Sequence, residues 1–139
     1  MDGLDVSGLE HCLRTLKRAH DRLVAIGPDS EDHDVFRAAS VKEFELILEI
    51  VVKLLRRVLR DYIVSTRELA EMNYKDVLRR AAAHGLLTLE EVDRWFVYRD
   101  NRNATAHENG HNFAAKVVAG LPGFIRDTEA ALTTFRAHA

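Results

Sequence analysis

One cysteine, two prolines and seven glycines in 139 residues give this chain little with which to staple, kink or loosen itself. Cys12 has no second cysteine to pair with. That excludes a disulfide-framework fold and points to a reducing cytoplasm. The shortage of Pro and Gly argues against a loop-rich fold and for long helices. Long apolar runs are also missing. The richest one, residues 46–55, is interrupted by Glu49 and Lys53, and a bilayer span needs ~20 apolar residues. Residues 1–9 hold two Asp, no basic residue and no apolar stretch, so they do not read as a secretory leader. There is no glycine-rich phosphate loop, no Gly-x-Ser-x-Gly elbow, no zinc-ribbon cysteine set, no strand-like alternation and no internal repeat.

What is present is an ordinary mixture for one soluble domain over residues 1–139, with 47% apolar and 30% charged residues. The net charge of −2 excludes a protein that binds nucleic acid through overall basicity. Arginine far outnumbers lysine. Its planar fork suits phosphate and carboxylate, although an arginine-rich solvated surface is an equally ordinary reading. Cys12 lies beside Leu13 in an apolar-periodic stretch and reads as a small core residue.

Helical periodicity runs almost throughout. Leu9, Leu13, Leu16, Leu23 and Ile26 predict a first helix over 7–26, ended by Gly27-Pro28. The acidic stretch 29–34 reads as a loop. A second, longest helix is predicted over 34–65, with Val35, Phe44, Ile47, Leu48, Val51, Leu54, Leu55 and Val58 in one stripe. Leu46, Ile50, Val52, Leu59 and Ile63 widen that stripe, so this helix must bury more than one side. A short helix over 74–84 is framed by Asn73 as N-cap and Gly85 as the residue beyond its end. Thr88 and Glu91 form a capping box that opens a helix over 89–107, in which Trp95 stands at core spacing with Val92 and Phe96. A turn at Glu108-Asn109-Gly110 precedes a last helix over 112–138, which Pro122 should kink or break. The architecture expected is all-α: an antiparallel helical bundle of four main helices plus a short one, forming a homodimer.

The densest polar constellation lies at 98–109. On a helix Asp100, Asn103 and His107 share a face, Arg99 sits one turn from Arg102, and Arg99 and Asn103 are four apart. These are the parts for cutting RNA without a metal. The His107 imidazole can move a proton from a ribose 2′-hydroxyl or to a leaving oxygen. The Arg102 guanidinium can hold the scissile phosphate, Asn103 can orient the imidazole, and Thr105 can add a hydroxyl donor. Arg102 and His107 are five positions apart, about 140° around an ideal helix, so one straight helix does not aim both at one point. Either the helix loosens near its end or a second copy completes the site across a two-fold axis. The same residues also suit surface salt bridges and helix caps, with His favoured in a last turn. His107 and His111 have the i, i+4 spacing of helical zinc pairs, but Gly110 lies between them and the order is not His-Glu-x-x-His, so no metal site is expected. The other histidines, at 11, 20, 33, 84 and 138, are scattered and read as surface or cap residues.

With those residues in hand, the sequence resembles the HEPN superfamily, and within it the HepT-like, or nucleotidyltransferase substrate-binding, proteins. Residues 37–46, RAASVKEFEL, resemble the family's Phe-Glu-rich second helix, and 76–87, DVLRRAAAHGLL, a stretch that follows it in the family. Arg102-Asn103-Ala104-Thr105-Ala106-His107 fits its motif of Arg, four residues, His. The resemblance implies a dimeric helical bundle with both subunits' motifs lining one cleft. It implies a metal-independent ribonuclease toxin with no cofactor, Arg102 and His107 as its catalytic pair and Asn103 as the polar residue that commonly follows the Arg, while Arg99, Asp100 and Thr105 support the site on the spacing above. It also implies a minimal nucleotidyltransferase antitoxin as partner and RNA as substrate; the missing apolar span and the lone cysteine predict no membrane contact and a cytoplasmic location. In the family the antitoxin adds AMP to a Tyr two residues after the motif His. Here that position is Asn109, which has no phenol to modify. Glu108 would add a carboxylate beside the site, repelling RNA phosphate and raising the pKa of His107. The alternative is a non-catalytic subunit that binds a nucleotide or docks a nucleotidyltransferase.

Overall fold

A computed structural model describes the backbone over residues 3–104 and 110–139, and side chains except those of 103–113. The described residues form six helices: α1 (Ser7–Ala25), α2 (Glu31–Leu59), α3 (Thr66–Glu71), α4 (Tyr74–Ala83), α5 (Leu89–Ala104) and α6 (Gly110–Ala137). No described residue is in a strand. The all-α expectation holds, with four long helices and two short ones. No helix among the described residues is long and apolar enough to cross a membrane.

The helix ends follow local chemistry. Asn73 and Asp76 close a capping box on α4, with Asp76 N–H donating to Asn73 Oδ1 at 2.9 Å and Asn73 N–H to Asp76 Oδ2 at 3.3 Å. Thr88 and Glu91 do the same at 3.0 and 2.9 Å. Beyond α4 the chain closes a Schellman motif. Leu86 N–H bonds Ala81 O at 2.9 Å and Gly85 N–H bonds Ala82 O at 3.0 Å, and Gly85 takes the φ of 74° that this turn demands.

Three boundaries correct the sequence reading. The 29–34 stretch is not all loop, because α2 begins at Glu31 with Ser30 accepting from Asp32 N–H. Its acids Glu31, Asp32 and Asp34 belong to a first turn, where the helix dipole favours negative charge. Helix α2 stops at Leu59 instead of 65, and α3 follows, capped by Ser65 through Glu68 N–H at 3.1 Å. Helix α6 begins at Gly110, inside the expected turn, and runs through Pro122 unbroken. Proline there withdraws one bond, to the carbonyl four residues back, and the rest of a 28-residue helix absorbs the loss.

Helix α2 packs on α1, α4, α5 and α6, which explains its wide apolar stripe. Phe44, Ile47, Leu48, Val51, Leu54, Leu55, Val58 and Leu59 are all buried, whereas Val35 is exposed near the helix start. Phe124 of α6 sits at an aromatic centre, 4.7 Å from Phe44, 5.6 Å from Trp95 and 4.9 Å from Tyr98 by ring centroids. Cys12 is buried, and burial first, then the Glu43 carboxylate, pushes its thiol pKa up to about 11. It is a core residue, as its spacing suggested, held in the protonated form at neutral pH.

Candidate functional site

Helix α5 carries the N-terminal half of the motif. Trp95, Tyr98 and Arg102 recur along one face at spacings of three and four, and the first two are buried. Arg102 therefore continues a core-facing stripe instead of standing in open solvent. Its side chain is 25% exposed and that of Glu49 on α2 is 47% exposed, with Arg102 Nη2 2.6 Å from Glu49 Oε1. A pair this open contributes about 0–1 kcal/mol to stability. Its main effect is geometric: one arm of the guanidinium is fixed against α2. Sequence reading passed over Glu49, treating it only as a charge that interrupts an apolar run. Its partner lies 53 positions away on another helix, so no local spacing announced it.

The supporting residues divide. Arg99 lies over the Tyr74 ring, 5.0 Å from its centroid, so it faces α4 whereas Arg102 faces α2. Asp100 is exposed and contributes to raising the Tyr74 phenol pKa, although burial is the main cause. The Tyr74 hydroxyl donates to Trp95 O at 2.7 Å, tying the start of α4 to α5. Asn103 belongs to α5, but its side chain, together with Thr105, His107, Glu108 and Asn109, lies outside the described residues, as does the side chain of His111. Among the described residues no group of three His, Cys, Asp or Glu could hold a metal ion. His84 caps the end of α4 and stacks on Tyr62 at 4.6 Å, while His138 Nε2 lies 3.4 Å from the Tyr62 hydroxyl.

A second constellation, unforeseen from the sequence, anchors the motif helix. Asp127 of α6 is buried and accepts from Arg94 Nε at 2.8 Å, Arg94 Nη2 at 2.9 Å and the Tyr98 hydroxyl at 2.5 Å. A carboxylate held by a bidentate guanidinium and a phenol is a strong charge-assisted arrangement. Burial, then the bond to Asp127, lifts the Tyr98 phenol well above its ordinary pKa, so it remains the donor. Asp127 is 29 or more positions from both of its partners, on a different helix, so no local motif announced the set.

The chain as a whole is similar to known proteins. A curated relative, the probable ribonuclease HepT of Haemophilus influenzae, is 29% identical over 103 residues, 74% of this chain and 69% of the relative. A solved Haemophilus influenzae structure, described as the fold of a substrate-binding domain of a nucleotidyltransferase, superposes with a TM-score of 0.80 at 24% identity, covering 95% of this chain and 99% of the other. That match shows the fold. A solved protein of Thermus thermophilus superposes with a TM-score of 0.72 at 29% identity, covering 92% and 98%. The family model described as nucleotidyltransferase substrate binding protein like matches residues 4–137, so the chain belongs to this family, the HepT-like group that its motif resembles.

Proposed function

We propose that the chain is a metal-independent endoribonuclease, the toxin of a toxin–antitoxin pair, working as a homodimer with a minimal nucleotidyltransferase antitoxin as partner. The observation that carries the reading is Arg102. It is a partly exposed guanidinium, fixed by Glu49, five residues before His107 in a family with a relative named as a probable ribonuclease. In the proposed reaction the ribose 2′-oxygen attacks phosphorus as its proton passes to a base. The 5′-oxygen leaves with a proton from an imidazole, giving a 2′,3′-cyclic phosphate and a 5′-hydroxyl. Arg102 offsets the charge growing on the phosphoryl oxygens, and His107 supplies the proton transfer. Two protomers would supply two imidazoles, one for each transfer. Asn103 and Thr105 would orient these groups, with Arg99 and Asp100 flanking them on α5. With Asn109 in place of a phenol, neutralisation would proceed by binding alone.

The test is cleavage of total RNA by the purified chain in EDTA. Arg102→Ala and His107→Ala should each lower the rate by about 10²–10⁴ with the helical circular-dichroism spectrum unchanged. A folded protein that cuts no RNA sinks the reading. One observation favours a second reading, a non-catalytic nucleotide- or nucleotidyltransferase-binding subunit. Glu49 already occupies one arm of Arg102, leaving less of it for a substrate. Calorimetry with AMP and ATP, and co-purification with a nucleotidyltransferase, would separate the two.

A further inference from the structure

Three cations of α4 and α5 are held in an uncommon way. Lys75 Nζ lies 5.6 Å and Arg79 Cζ 5.4 Å from the centroid of the Phe96 ring, while Arg99 Cζ lies 5.0 Å from that of Tyr74. The two rings are themselves neighbours, with centroids 6.5 Å apart. Elsewhere among the described residues the arginines with firm contacts are bound to oxygen. Arg94 meets Asp127, Arg80 meets Glu68, Arg67 meets Glu71, Arg136 meets Glu10, and Arg56 meets the carbonyls of Leu69 and Met72. The difference matters for charge. A carboxylate neutralises a cation and occupies its N–H groups. A ring face attracts the cation through its quadrupole and leaves both the charge and the donors available.

The nearby acids offset this patch only in part. Glu68 is matched by Arg80 and Glu71 by Arg67. Asp76, bonded to backbone N–H groups in the α4 capping box, and exposed Asp100 keep their charge, so the three cations outnumber the remaining acids by about one. Lys75 and Arg79 are exposed and one helical turn apart on α4. Arg99 is one turn before Arg102 on α5, and Phe96 to Arg102 spans six residues, about 9 Å of helix. Arg99 thus joins the two α4 cations to the helix that carries Arg102, on a molecule whose net charge is −2.

We infer that Lys75, Arg79 and Arg99 form a pre-oriented phosphate track, binding the backbone of a single RNA strand on the α4 side of the Arg102 site. This rests on the RNA reading above and extends it from one phosphate to several consecutive ones. The rings serve as supports for the cations and not as stacking platforms, since cations already cover their faces. Binding should therefore tolerate any base sequence and depend steeply on salt.

The experiment is fluorescence anisotropy of a labelled single-stranded RNA, with salt varied, on the full chain carrying His107→Ala so that cleavage does not interfere. Lys75→Gln/Arg79→Gln and Arg99→Gln should each weaken binding several-fold. Combined, they should flatten the slope of log K against log salt by about 2, at ~0.7 per phosphate contact on a single strand. The control is Arg18→Gln/Arg22→Gln on α1, where both side chains are exposed. It removes the same charge as the α4 pair and should leave the affinity within two-fold. Thermal melts confirm that each variant folds. Equal loss in the control, unchanged affinity in the triple variant, or no RNA binding at all overturns the track. Binding that behaves as expected in a parent chain that never cuts RNA leaves the track standing and removes the ribonuclease reading instead.

Discussion

At the scale of single residues, the pair Arg102–Glu49 separates stability from activity. Because the contact is half open to solvent, Glu49→Gln should change unfolding free energy by less than about 1 kcal/mol. On the proposed reaction it should lower kcat roughly 10- to 100-fold, the penalty for a misplaced catalytic group, and steady-state cleavage beside a urea titration reads both quantities. Unchanged kcat would mean that Glu49 does not position the guanidinium. Cys12 gives a pH prediction with a definite sign. Its thiol titrates near 11 when folded against an ordinary value of 9.0. Well below pH 9 the thiol is neutral in both states and adds no pH dependence. Between about 9 and 11 the unfolded chain ionises first, so stability falls as pH rises. Iodoacetamide at pH 8 should accordingly leave Cys12 unlabelled in the native protein and label it in urea.

At the scale of helices, the bond set on Asp127 predicts that Asp127→Ala costs about 2 kcal/mol. It strands the buried Tyr98 hydroxyl and releases Arg94. Arg94→Ala should cost less, since that side chain is 48% exposed and Asp127 keeps its phenol donor. Gly120 offers the opposite sign. A Cβ there would meet nothing within 4 Å, in the interior of α6. Gly120→Ala should raise stability by about 0.5–1 kcal/mol, visible as a higher Tm. Much of this level was legible beforehand. Asn73, Gly85, Thr88 and Glu91 announced their helix ends because capping is a local affair of three or four residues. The sequence Ser65-Thr66-Arg67-Glu68 held the same kind of signal for α3, masked by an apolar stripe continued past Leu59. Contacts between distant segments were not legible. Neither Arg102–Glu49, 53 positions apart, nor Tyr98–Asp127, 29 apart, leaves a periodic trace.

At the scale of the whole molecule, family and fold class followed from an ordered set of short resemblances along most of the chain. The active assembly is where the proposal is most exposed. If one cleft draws on two protomers, the protein should elute at twice the 15.8 kDa of a single chain, as measured by light scattering. Active protein mixed with an excess of His107→Ala chain and allowed to exchange subunits should lose activity, since each hybrid holds only one of the two imidazoles. A monomer, or a mixture that keeps its activity, would argue for a site complete within one chain.

The grip of Asp127 on two side chains of α5 also constrains motion. Sliding α6 along α5 by one turn, about 5.4 Å, would leave a bare carboxylate in the apolar interior beside Phe124. The two helices should therefore travel as a single lever, and any large movement of either should take the form of a rotation of that lever against α2. Amide hydrogens in the middle of α5 and α6 would then share one opening rate in hydrogen exchange, distinct from that of α2.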